Sequence, residues 1–114
     1  MAGAVETHEL AWAAGFVDGE GCWYRTRNGK DDTYPRFTIE QVDPYALERF
    51  RDAVGVGKIY GPRQVPGRPN SQPSYRLAVY GLEKVQHVTA MLWGFLGPVK
   101  RAQANRVLSA GRRN

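Results

Sequence analysis

Two carboxylates lie close together near the amino terminus, in the stretch LAWAAGFVDGEGCW that covers residues 10–23. Asp18 and Glu20 follow an apolar run with helical spacing and are set between glycines. The carboxyl end of a helix carries partial negative charge and favours cations, so two acids are unfavourable there. Carboxylate oxygens are also the ligands that hard divalent cations such as magnesium prefer. Asp18 and Glu20 are therefore candidate metal ligands, with a solvated acidic turn as the alternative.

Small residues recur at helical spacing before these acids. Ala11, Gly15 and Gly19 share one stripe of the predicted helix, and Ala14 and Asp18 lie beside it. Gly15 costs a helix about 1 kcal/mol relative to alanine, and the close approach of another helix would explain that cost. A two-fold axis on the stripe would bring two acidic helix ends side by side. The stripe therefore predicts a close helix contact, either between two subunits or within one.

The overall composition indicates a folded basic protein. The chain has 114 residues, of which 42% are hydrophobic, and its net charge of +5 favours an acidic partner, most often nucleic acid. Cys22 is the single cysteine, which excludes an intramolecular disulfide and fits a reducing compartment. We expect no signal peptide and no membrane-spanning run. The expectation is one domain over residues 1–114, in the cytoplasm or an organelle, without a membrane partner.

Apolar periodicity and turn residues predict the order αββαββαα. Helices are predicted from about residue 8 to the glycines at 19 and 21, and over 44–54, 82–96 and 99–110. Strands are predicted over 22–28, 33–41, 57–61 and 74–80, with a proline-rich loop at 62–73. Thr7 and Asp43 are the predicted N-caps of the first two helices. This is an α+β fold in which helices cover one face of a four-stranded antiparallel sheet.

Alternation along the strands gives that sheet two different faces. Phe37, Ile39, Leu77 and Val79 are predicted to face the helices, and Trp23 is predicted in the core. The opposite face is polar and basic.

The stretch AAGFVDGEG, residues 13–21, resembles the LAGLIDADG motif of homing endonucleases. Ala14, Gly15, Asp18 and Gly21 match that consensus. The resemblance extends to the αββαββα order and to the segments RFTIEQVD at 36–43, VGVGKIY at 54–60, YRL at 75–77 and KRAQANRVL at 100–108.

The resemblance implies a homodimer whose sheets form a saddle over double-stranded DNA. The motif helices would meet at the two-fold axis, and the enzyme would cut both strands across the minor groove of a long pseudo-palindromic site. The implied cofactor is Mg²⁺, and no small-molecule cofactor is implied. The expected dimer-interface residues are Ala11, Ala14, Gly15, Asp18 and Gly19.

The resemblance also implies roles for single residues. Glu20 stands at the metal-binding acid position of the motif, Gly19 offers its carbonyl, and Asp18 stands where the family usually packs the helix end, so it ranks second as a ligand. Gln41 is expected near the attacking water. Lys100 is expected as a charge-stabilising residue beside the active site.

A sheet lying over the major groove needs polar side chains at alternate positions, and loop cations can add phosphate contacts. Toward the tip of the first hairpin, Arg25 and Arg27 are further candidates for phosphate. The predicted DNA-contacting residues are Tyr24, Thr26, Asn28, Lys30, Tyr34, Arg36, Thr38, Glu40, Lys58, Tyr60, Arg63, Arg68 and Arg76.

Three classes of function remain open. The leading one is a homing endonuclease of a mobile element such as an intron. The second is a cleavage-deficient protein of the same fold that regulates transcription or assists intron RNA splicing, against which the acid at Glu20 argues. A basic structural or ribosome-associated protein explains the charge but not the motif helix.

Overall fold

The structure is a computed structural model and describes residues 6–27, 33–64, 67 and 70–109. Asn28, Lys30 and Arg68, all expected at the DNA, lie outside these ranges. The elements in chain order are α1 (Thr7–Glu20), β1 (Gly21–Arg27), β2 (Thr33–Gln41), α2 (Pro44–Val54), β3 (Lys58–Arg63), β4 (Ser74–Tyr80), α3 (Leu82–Leu92), a 3-10 turn (Trp93–Phe95) and α4 (Pro98–Ser109). The predicted order αββαββαα is confirmed. None of the described helices is long and apolar enough to cross a membrane.

The four strands form one antiparallel sheet in the order β1-β2-β4-β3. Phe37 pairs with Trp23 on one side and with Val79 on the other. The next inward-facing row pairs Ile39 with Leu77. All five side chains are buried under the helices, which confirms the predicted apolar face of the sheet.

The core also holds a polar contact between the sheet and α3. The indole Nε1–H of Trp23 donates to Thr89 Oγ1 at 2.9 Å, and the Thr89 hydroxyl donates to the Val85 carbonyl at 2.7 Å. A buried indole N–H needs such a partner, because leaving it unpaired forfeits its bond to water. This bond fixes Trp23, and with it the start of β1 after the acidic end of α1.

The predicted end residues of α1 and α2 are confirmed in one case and wrong in two. Asp43 caps α2 by accepting a hydrogen bond from the Tyr45 backbone N–H at 2.9 Å, as predicted. The predicted cap at Thr7 is wrong, because Thr7 is already helical and Glu6 precedes α1 without a side-chain cap. Gly19 does not end α1 either, since the helix continues to Glu20.

Two other boundaries differ from the sequence prediction. α3 ends at Leu92 and tightens into the 3-10 turn, so the helix predicted over 82–96 is shorter. β3 continues to Arg63, into the segment predicted as loop, with a register shift between Tyr60 and Arg63.

Candidate active site and nucleic-acid interface

Glu20 is the last residue of α1 and its side chain is exposed. Within the part of the chain that the structure describes, its carboxylate has no hydrogen bond or ion pair. The next residue, Gly21, opens β1 and pairs with Ile39 of β2. Both carboxylate oxygens of Glu20 are therefore available to a ligand at the end of the helix.

Asp18 is engaged differently, one half-turn before Glu20. Its Oδ1 and Oδ2 each lie 3.2 Å from the backbone nitrogen of Gly97, whose N–H they accept. Gly97 immediately precedes α4, where the helix dipole favours a negative charge. Asp18 thus fastens the end of α1 to the start of α4.

Lys100 lies in the first turn of α4, and its side chain extends to the residue that follows the end of α1. Its half-buried Nζ donates to the Gly21 carbonyl oxygen at 2.7 Å, across 79 positions of sequence. The ammonium group is therefore held one residue from Glu20, with two donors left over.

Gln41 is the last residue of β2 and lies beside this end of the helix. It follows Ile39, the partner of Gly21, by two positions, and it pairs with Tyr75 on the other side. Its side chain is half-buried. The sheet register therefore brings Gln41, Glu20 and Lys100 to one end of α1.

Among the described residues, the acidic end of α1 does not gather a complete set of metal-binding side chains. Within the described ranges, no group of three or more His, Cys, Asp and Glu side chains is arranged to hold a metal ion. Asp18 accepts from Gly97 and the Gly21 carbonyl accepts from Lys100, so Glu20 is the carboxylate at this helix end without a hydrogen bond among the described residues. Oxygen donors of this kind suit Mg²⁺.

The small-residue stripe of α1 is open to solvent. Ala11, Gly15 and Gly19 are exposed, and a Cβ added at either glycine would meet nothing within 4 Å. Packing inside the described part of the subunit therefore does not require glycine at these positions. Ala14 is a correction to the predicted interface, because its side chain is fully buried in the core of its own subunit.

The polar face of the sheet collects most of the residues predicted to contact DNA. The strand pairing aligns Tyr24, Arg36 and Tyr80 in one row across three strands. On one side of this row, Thr26 pairs with Tyr34. On the other side lies a row of Cys22, Thr38, Ala78 and Lys58, and beyond it a row of Glu40, Arg76 and Tyr60.

Arg25 belongs to the opposite face and is committed within the subunit. Its guanidinium donates to the Val107 carbonyl at 2.7 Å and to the Thr33 hydroxyl and carbonyl at 2.8 Å each. These bonds tie β1 to α4 and β2, so they argue against the interpretation of Arg25 as a phosphate contact.

The polar face contains a concave pocket of about 310 Å³. Its lining residues are Arg36, Glu40, Tyr60, Gly61, Arg63, Ser74, Arg76 and Tyr80. Arg76 Nη2 lies 3.6 Å from Glu40 Oε2, and the other cations of the lining give it a basic character. Tyr80 was missed as a site residue, although its alternation with Arg76 and Ala78 along β4 would have indicated it.

Comparison with solved structures places this architecture among homing endonucleases. I-CvuI, solved with an I-CreI target and 2 mM Mg with the DNA not cleaved, is 25% identical over 91% of this chain and 68% of its own, with a TM-score of 0.71. I-TnaI is 26% identical over 86% of this chain and 67% of its own, with a TM-score of 0.65. The LAGLIDADG meganuclease I-AabMI, bound to uncleaved DNA, is 23% identical over 89% of this chain but 35% of its own, with a TM-score of 0.70.

The class defined by this fold and motif helix is that of the homing endonucleases. Within that class, the solved structures to which this chain is similar include a LAGLIDADG meganuclease, and its motif helix resembles the LAGLIDADG motif. No protein-family model and no curated protein sequence matches the chain.

Proposed function

We propose that this protein is a site-specific double-strand DNA endonuclease that acts as a homodimer with Mg²⁺. The observation that carries the proposal is Glu20, an exposed carboxylate at the end of α1 with no partner among the described residues, and with the Lys100 ammonium held beside it on Gly21. The DNA complexes of I-CvuI and I-AabMI support a DNA substrate.

The small-residue stripe of α1 supports the proposed homodimer. Its stripe of Ala11, Gly15 and Gly19 is exposed and unfilled, so a second helix can approach the backbone closely. An isologous contact on this stripe joins two copies of Glu20 near the axis. The missing oxygen ligands then come from the second subunit and from the DNA phosphates.

The chemistry is phosphodiester hydrolysis. Glu20 would hold Mg²⁺, which would supply charge neutralisation, an activated water and stabilisation of the leaving 3′ oxygen. Lys100 places a fixed positive charge where negative charge develops, and its bond to Gly21 removes the need for reorganisation. The Gln41 amide orients the attacking water through a hydrogen bond. Asp18, bonded to Gly97, holds the helix end and is not a metal ligand.

The polar sheet face binds the major groove on each side of the cleaved step. Lys58 and Arg63, on edge strand β3, are suited to phosphates, because phosphate contacts position a protein without reading sequence. The residues of the middle strands face the base edges, where hydrogen bonds distinguish the base pairs.

Incubation with a randomised duplex library and Mg²⁺, followed by sequencing of the ends, tests the proposal. We expect double-strand breaks at one long pseudo-palindromic site. Glu20→Gln should abolish the breaks while binding in Ca²⁺ survives, and Glu48→Gln, a matched exposed glutamate on α2, should cleave normally. Binding without breaks by the unaltered protein would instead support a cleavage-deficient regulator or splicing factor.

A further inference from the structure

Arg36 occupies the middle of the polar sheet face, between two aromatic rings. Its Cζ lies 4.6 Å from the Tyr80 ring centroid and 5.6 Å from the Tyr24 ring centroid, both within cation–π range. Its Nη2 donates to the Tyr80 hydroxyl at 3.1 Å. The tyrosines of the two neighbouring strands therefore hold the guanidinium in place.

The Arg36 guanidinium forms no ion pair with a carboxylate within the described part of the chain. Glu40, the acid of this face, pairs with Arg76. Arg36 Nε is buried and has no hydrogen-bond partner among the described residues, and the side chain lines the 310 Å³ pocket. Since a guanidinium has five N–H donors, most of those on Arg36 remain unpaired.

We propose that Arg36 reads a guanine in each half-site, an inference that rests on the proposed endonuclease function. Arginine binds guanine O6 and N7 through two parallel N–H bonds, the commonest specific contact in the major groove. A guanidinium already fixed by Tyr24 and Tyr80 loses little rotamer freedom when it makes these bonds. Apart from the one bond from Nη2 to the Tyr80 hydroxyl, the two rings hold the charge through their faces and leave the N–H donors free, whereas a carboxylate would occupy them.

The position of Arg36 favours a base over a phosphate. It lies on β2, with β1 on one side and β4 on the other, whereas Lys58 and Arg63 lie on the outer strand β3. In a homodimer the two copies of Arg36 contact symmetry-related base pairs. One strand of the target therefore carries guanine in one half-site and cytosine at the mirrored position of the other.

Selection from a randomised duplex library in Ca²⁺ tests this assignment. The unaltered protein should prefer guanine at one position of each half-site by about ten- to a hundredfold. Arg36→Lys and Arg36→Gln should lose that preference while the other positions keep theirs. Tyr80→Phe, which retains the ring and loses the hydroxyl, should weaken the preference at the same position. Arg106→Lys, an exposed arginine on α4, is the matched control and should leave the selected site unchanged.

Three outcomes overturn the inference. Arg36→Gln, which removes the charge, could weaken binding evenly across sequences and lower the salt slope of log K by about 1, the behaviour of a phosphate contact. Arg36→Gln could select the same site as the unaltered protein; the endonuclease function would then stand and the assignment to Arg36 would fall. If the unaltered protein selects no duplex, the proposed function fails together with the inference.

Discussion

Asp18 and Gly97 join the end of α1 to the beginning of α4. Both carboxylate oxygens of Asp18 lie 3.2 Å from the Gly97 nitrogen. Three residues later in the chain, Lys100 returns to the Gly21 carbonyl at 2.7 Å. Both bonds hold the start of α4 against the end of α1, on either side of Glu20 in the sequence. Because Lys100 lies in the first turn of α4, we expect the position of its ammonium group to depend on the bond between Asp18 and Gly97.

Asp18→Ala should slow DNA cleavage more than it weakens DNA binding. The variant releases the start of α4 and lets Lys100 move, while the sheet that binds DNA is untouched. The loss of a helix-terminal hydrogen bond also costs about 0.5–2 kcal/mol of stability. Single-turnover rates in Mg²⁺ and dissociation constants in Ca²⁺ measure the two effects separately.

Asp18→Asn separates positioning from metal binding, because its amide oxygen still accepts from Gly97. We expect it to recover much of the activity that Asp18→Ala loses. Inactivity of Asp18→Asn as complete as that of Glu20→Gln would contradict the positioning role and return Asp18 to the metal. Asp52→Asn, an exposed acid on α2, is the control.

Lys100→Met should lower the cleavage rate about a hundredfold, the order of loss found when one preorganised donor is removed from a transition state. The methionine keeps the aliphatic part of the side chain and removes the charge and the bond to Gly21. Binding in Ca²⁺ should change little. Lys84→Met, an exposed lysine on α3, controls for the loss of net charge. A rate equal to that of Lys84→Met would show that Lys100 is a surface lysine.

Gly15→Leu should produce a folded monomer. A Cβ added at this position meets nothing within 4 Å among the described residues, and Gly15 is exposed, so we expect the leucine to disturb a contact between subunits and not the core. Gly94→Leu is matched, because its added Cβ is also open, and should leave the oligomeric state unchanged. Light scattering coupled to size exclusion gives the mass, and a dimeric Gly15→Leu would place the interface elsewhere.

The pattern of apolar and polar residues in the strands predicted the sheet well. The predicted dimer interface on α1 was less accurate, because that helix is rich in small residues. β2 and β4 begin and end at the predicted residues, and buried positions alternate along β2, whereas Leu77, Ala78 and Val79 of β4 are all buried. In α1, alanines occur on both sides of the helix, so the pattern did not separate the buried Ala14 from the exposed Ala11.

The remaining misses concern partners that are distant in sequence. The bond from Asp18 to Gly97 spans 79 positions, and the one from Arg25 to the Val107 carbonyl spans 82. Neither residue type nor spacing indicates such contacts, because they depend on how α4 packs against the sheet. The contact of Tyr80 with Arg36 was missed for the same reason, because it depends on the pairing of β2 with β4.

The ion pair between Glu9 of α1 and Arg49 of α2 should make stability weakly dependent on pH. Arg49 donates from Nε and Nη2 to the two carboxylate oxygens at 3.0 and 2.7 Å, and these hydrogen bonds lower the pKa of Glu9. A group whose pKa is lowered by folding stabilises the fold above its unfolded pKa. That contribution is lost as the pH falls through the folded value.

The measurement is the unfolding free energy as a function of pH, with and without salt. Glu9→Gln should flatten the decline of stability below about pH 4.5 relative to the unaltered protein. High salt should reduce the difference, because the pair is exposed to solvent. Identical pH profiles for the two proteins would mean that the pair contributes nothing to folding.

Thr89→Val should destabilise the fold by about 1–3 kcal/mol, because it leaves the buried indole N–H of Trp23 without a partner. The substitution preserves the volume and shape of the side chain, so no cavity accompanies the loss of the hydroxyl. Thr89→Ser keeps the hydroxyl and removes a methyl group, and it should retain the bond to Trp23. Denaturant unfolding followed by tryptophan fluorescence gives both values. A valine variant as stable as the unaltered protein would show that the Trp23–Thr89 bond does not hold β1 against α3, and the placement of Glu20 would then rest on Asp18 and Lys100.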